Sequence, residues 1–85
     1  MSGLGPEEKT IANRIADRLA VHLGPHTARI AVKTFSQRAL GRGPETLEPY
    51  DIEELLASLR PMLRTLVGSS QCAAILQQIR RDFRL

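Results

Sequence analysis

The chain has 85 residues, one cysteine, two histidines and three aromatic side chains with no tryptophan, so a single small domain with an aliphatic core is expected. The lone Cys72 excludes an internal disulfide and a cysteine-rich zinc motif. The longest charge-free run, 65–79, contains Gly, Ser and Gln and is too short and too polar to span a bilayer.

The first helix is expected over 6–23. Pro6 suits a first helical position, and Glu7 and Glu8 suit the positive end of the helix dipole. Residues 1–5 before it read as a flexible N-terminus. Ile11, Ile15, Leu19 and Leu23 recur every four residues with Ala12, Ala16 and Ala20 beside them, and Gly24 suits a C-terminal cap. A second helix is expected over 25–40, with a stripe of Ala28, Ala31, Val32, Phe35 and Ala39, ended by Gly41.

"GRGPETLEPY" (41–50) reads as the loop between two helical hairpins, since two Gly and two Pro stop regular structure. Asp51 then suits an N-cap with Glu54 as its capping-box partner. The third helix, 51–67, carries Ile52, Leu55, Leu56, Leu59, Met62, Leu63 and Leu66, and Pro61 inside it predicts a kink or split near Leu59. Gly68 stops it. Ser69 or Ser70 caps a fourth helix, 70–83, with Cys72, Ile75, Leu76, Ile79 and Phe83 on one side. The fold class is therefore all-α: a compact bundle of about four short helices, the third kinked at a proline. Its core is predicted to contain Ile11, Ile15, Leu19, Leu23, Ile30, Phe35, Leu55, Leu59, Leu63, Leu66, Ile75 and Ile79. Truncating Phe35 to Ala would then cost roughly 3–5 kcal/mol.

Charge is blocked along the chain. Residues 1–24 are neutral overall, and 25–43 hold Arg29, Lys33, Arg38 and Arg42 with no acid. Residues 44–59 hold Glu45, Glu48, Asp51, Glu53 and Glu54 with no base, and 60–85 hold five Arg against Asp82. Such blocks can pair within one molecule or between copies. Ten of the twelve bases are Arg, which fits bidentate recognition but is explained as well by a GC-rich, bacterial codon usage.

The chemistry of sites is thin. His22 and His26 have the four-residue spacing of paired helical ligands, but Gly24-Pro25 between them breaks the required turn, and Cys72 is the only further soft ligand. "HTARIA" faintly resembles the phosphoaccepting helix of sensor kinases, yet Thr27 stands where an acid follows the histidine and Ala31 where a proline is found. Ser69, Ser70 and Cys72 lack a visible His–acid pair, and "GRGPET" lacks the glycines and lysine of a phosphate loop. No catalytic residue, metal or other cofactor and no small-molecule substrate is expected.

Two binding readings follow. Ala20, Gly24 and Ile30 match the spacing of a helix-turn-helix over about twenty residues. That resemblance implies a nucleic-acid face of His26, Thr27, Arg29, Lys33, Arg38 and Arg42. Against it stand Pro25 in the turn, the shortage of Gln, Asn or Ser pairs for base edges, and the acidic block that follows. The preferred expectation is a non-enzymatic protein-interaction or dimerisation module, regulatory or adaptor in role and cytoplasmic in location, since the N-terminus lacks the order of a signal peptide. Leu56, Leu59, Leu63 and Leu66 give the third helix a wide apolar arc, and Arg60, Arg64, Arg80 and Arg81 are expected at the rim of the contact. A homodimer or a stable hetero-complex is expected; in the homodimer those arginines meet acids of the 45–54 block at the rim.

Overall fold

The computed structural model describes residues 10–84. The expected start at Pro6, the helix-favouring Glu7 and Glu8 and the flexible 1–5 segment lie outside the described residues. Among the described residues three α-helices and two 3₁₀ turns follow in order: α1 (Ile11–Leu23), α2 (Pro25–Leu40), turns at Pro44–Thr46 and Pro49–Asp51, and α3 (Ile52–Phe83). Among the described residues there is no strand. The Cα radius of gyration is 12.4 Å, near the about 12 Å of a compact domain this long.

α1 is described from Ile11. Thr10 is extended (φ −72°, ψ 165°) and its hydroxyl accepts from the Asn13 N–H at 3.1 Å, so it is the N-cap. The Gly24 N–H donates to the Ala20 carbonyl, closing α1. Gly24 is also the residue from which α2 starts, with Pro25 in its first turn. One residue therefore turns the chain, and α1 and α2 form an antiparallel hairpin.

α3 is two arms, 52–67 and 69–83, joined at Gly68. That glycine has φ 88° and ψ 165° and is the non-helical residue inside the element. Gly24 has nearly the same backbone, φ 87° and ψ 152°. This region is open only to glycine at low cost, so both hairpins turn through one Gly-only conformation. A Cβ added at either would meet nothing within 4 Å, which places the requirement on the backbone and not on packing. Pro61 sits within the first arm, where its carbonyl accepts from the Thr65 hydroxyl at 3.0 Å. The chain reverses at Gly68.

The 41–50 connection is more ordered than its composition suggests. Its two 3₁₀ turns bury Leu47 against the helices. The capping box lies three residues earlier than expected: the Glu48 N–H donates to Asp51 Oδ2 at 2.9 Å, and the Glu48 carboxylate accepts from the Asp51 N–H. Asp51 is buried and ion-paired to Arg42, and its side chain makes no cap to α3. Glu54, exposed, is not its partner.

The core is aliphatic, as expected. Ile15, Leu19, Leu55, Leu59, Leu63, Ile75 and Ile79 are buried, joined by Ala12, Ala16, Ala28, Ala31, Val32, Ile52, Leu56, Cys72 and Leu76. Ile11, Leu23 and Phe35 are only partly buried against it. Two expected core residues are not core: Ile30 is 50% exposed and Leu66 is 55% exposed. Ile30 lies on the face of α2 opposite Ala28 and Val32. Leu66 continues the buried stripe of α3 but stands in its last turn before Gly68.

Candidate functional site

The two arms of α3 run antiparallel in a fixed register. The Cys72 thiol meets the Arg60 carbonyl at 3.7 Å, and Arg80 Nη2 donates to Glu53 Oε1 at 3.1 Å. Arg64 and Ser69, flanking the turn, face the same cavity. On this face the arms leave an open trough of about 620 Å³ lined by α3 alone.

Helical spacing builds the trough. Arg60 and Arg64 are four apart on the first arm, one turn from each other. Ala73, Gln77 and Arg81 repeat on the second at the same interval, with Arg80 beside them. Cys72 and Leu76, both buried, form the floor, and exposed Ala73 keeps one wall low. All four arginines expected at the rim of a contact therefore converge on one cavity.

Their electrostatics are uneven. Arg80 has Glu53, and this pair is largely solvent-exposed. Its Nε is buried with no acceptor among the described residues. Arg60, Arg64 and Arg81 have no ion pair among the described residues. Four guanidinium groups thus face one carboxylate, and the trough is strongly cationic.

The leucines expected at the contact fall elsewhere. Leu56, Leu59 and Leu63 are fully buried in the chain's own core and are out of reach of a partner in this fold. The wide apolar arc of the arm is filled from inside by α1, α2 and the second arm. Leu66 alone of the four reaches solvent. The Arg80–Glu53 bond also shows that one expected pairing between the basic end and the 45–54 acids is made within a single chain.

The nucleic-acid set is only partly brought together. His26, Thr27, Arg29, Lys33 and Arg38 are all exposed on α2. Arg42 is not with them: it lies in the connection, paired with buried Asp51. Its guanidinium is held above its ordinary pKa, chiefly by a hydrogen bond to Tyr50, with Asp51 adding to the effect against partial desolvation. The helix-turn-helix spacing also loses its anchor, because Ile30 is half-exposed instead of packed. His22 and His26 are exposed in adjacent helices on either side of Gly24. Among the described residues no three His, Cys, Asp or Glu side chains converge as a metal-holding group.

Among the described residues, no helix is long and apolar enough to cross a membrane. Comparison with family models, with curated proteins and with solved structures returns no match.

Proposed function

We propose that this chain is a small non-enzymatic helical protein-interaction module, regulatory or adaptor in role, which docks its partner on the arginine-lined trough of α3. The observation that carries the reading is the convergence of Arg60, Arg64, Arg80 and Arg81 on one cavity, three of them with no carboxylate partner among the described residues. Arginine is favoured at protein contacts because its planar fork binds carboxylates bidentately and is weakly hydrated. Arg18 is matched by Asp82 and Arg42 by Asp51 within the fold. Among the described residues, Arg80 alone of the trough arginines has such a partner, Glu53.

Charge reversal tests it. The full chain carrying Arg64→Glu and Arg81→Glu should keep its melting temperature and lose the proteins that the parent captures from its native cell extract. The same reversal at Arg29 and Lys33 should leave capture intact. Loss only with the α2 pair would favour the nucleic-acid reading, for which the acid-free exposed face of α2 speaks. Capture that survives both reversals, or a parent that captures nothing, would contradict the docking reading.

A further inference from the structure

Building on the trough as docking surface, we infer that its occupant is an acidic α-helix of a partner protein, about three turns long, lying lengthwise between the arms of α3. Shape, length, charge and the state of the chain's own acids lead there.

The walls are two antiparallel helices whose register holds from Arg64 and Ser69 at the turn to Glu53 and Arg80 at the far end. The span from Ser69 to Arg80 is eleven residues on, about 16 Å at 1.5 Å per residue, or three helical turns. Helices pack at axial separations of about 8–10 Å, and a third helix settles in the groove between two others with small residues at the closest approach. Exposed Ala73 supplies that low point on one wall.

The chemistry selects acid. Arg60, Arg64 and Arg81 offer unpaired guanidinium groups along both walls, each able to take a carboxylate through two parallel N–H donors. Arg80 is a fourth, held for now by Glu53. The side chains of that pair are 38% and 54% exposed, so the bond contributes little and exchanges readily with an incoming carboxylate. The apolar floor, Cys72 and Leu76, is almost fully buried already, so little apolar area is left to drive binding and charge must supply most of it. Binding is therefore expected to be salt-sensitive.

A second copy is a poor occupant. Two troughs facing each other across a two-fold axis oppose arginine to arginine. The chain's own Asp51 and Asp82 are committed to Arg42 and Arg18. A second copy docking its exposed Glu45, Glu48 or Glu54 into the trough is the competing occupant, and self-association in the test below separates it from the heteromeric helix.

The test uses the full-length protein and three fluorescent probes in anisotropy titrations at low and physiological salt. One is a lactam-stapled Glu/Ala helix of about fourteen residues, the second has the same length and net charge but central prolines, and the third is a short DNA duplex. The stapled helix should bind at least about tenfold tighter than the interrupted one, roughly the affinity that pre-ordering one short segment provides. Arg64→Glu with Arg81→Glu should remove about tenfold or more of that affinity, with the gentler Arg64→Gln and Arg81→Gln showing the same direction if the reversed variant melts early. Equal binding of both peptides would reduce the trough to a site for any polyanion and overturn the helix. Tighter DNA binding that disappears on reversal of Arg29 and Lys33 would overturn it in favour of nucleic acid. Concentration-dependent self-association lost with Arg64→Glu would overturn it in favour of a second copy. If neither peptide binds while groove reversal still abolishes protein capture, the docking surface stands and the acidic helix falls; if capture also fails to respond, both fall.

Discussion

Arg80 and Glu53 join the two arms of α3 at the end of the trough away from Gly68, with Nη2 donating to Oε1 at 3.1 Å. The bond neutralises one of four arginines that otherwise face the same cavity. It is thus an internal competitor for any acidic partner. Glu53→Gln should raise the affinity of the stapled acidic helix severalfold while moving folding stability by less than about 1 kcal/mol, because exposed ion pairs contribute little. Paired anisotropy and urea titrations check both. A loss of affinity in Glu53→Gln would mean that Arg80 needs its carboxylate to hold the trough open.

The two hairpin turns make a prediction about backbone alone. Gly24→Ala and Gly68→Ala should each destabilise the fold by roughly 1–3 kcal/mol, since a side chain is strained at φ 87° and 88°. The new methyl meets no neighbour within 4 Å, so compensating cavity mutations should not rescue either variant. Equilibrium denaturation measures the loss; a variant as stable as the parent would show that the turn can adopt another backbone.

Two leucines three residues apart in sequence should behave oppositely. Leu63 is fully buried and Leu66 is 55% exposed. Leu63→Ala should cost about 2–5 kcal/mol, whereas Leu66→Ala should stay within about 0.5 kcal/mol. Phe35 is only partly buried, so Phe35→Ala should cost less than the roughly 3–5 kcal/mol expected of a fully buried phenylalanine.

These contrasts show what the sequence carried and what it did not. Spacing alone located the all-α fold, because the apolar residues of α1 and α3 recur at helical intervals and Gly24, Gly41 and Gly68 mark the ends. Ile30 falls two residues from Ala28 and from Val32, on the opposite face of α2, so the same spacing argues against its burial. Leu66 has the right phase, and only the length of the covering helices decides that it is exposed. Leu47 has no periodic partner and its burial depends on how the 3₁₀ turns fold back. The four arginines of the trough were visible as residues, but their convergence depends on the register between the arms, which pairs 53 with 80 and 60 with 72. Periodicity within one helix says nothing of that.

The Asp51 carboxylate offers a further check on the connection. It is buried, bonded to the Glu48 N–H and paired with Arg42. Asp51→Ala leaves that N–H and that guanidinium without their acceptor and should cost about 1–3 kcal/mol. Asp51→Asn keeps one acceptor oxygen and should cost less. If the two variants are equally stable, the hydrogen bond to Glu48 is not what holds the turn.

The claim that the arginine trough is where partners dock is tested most directly by placing a photo-crosslinking side chain at Gln77, exposed on the trough wall, and separately at Gln37, exposed on α2. Irradiation of the full chain in its native extract should give protein adducts from position 77 that vanish with Arg64→Glu and Arg81→Glu, and none above background from position 37. Adducts from position 37 alone, or adducts from 77 that ignore the charge reversal, would contradict docking in the trough.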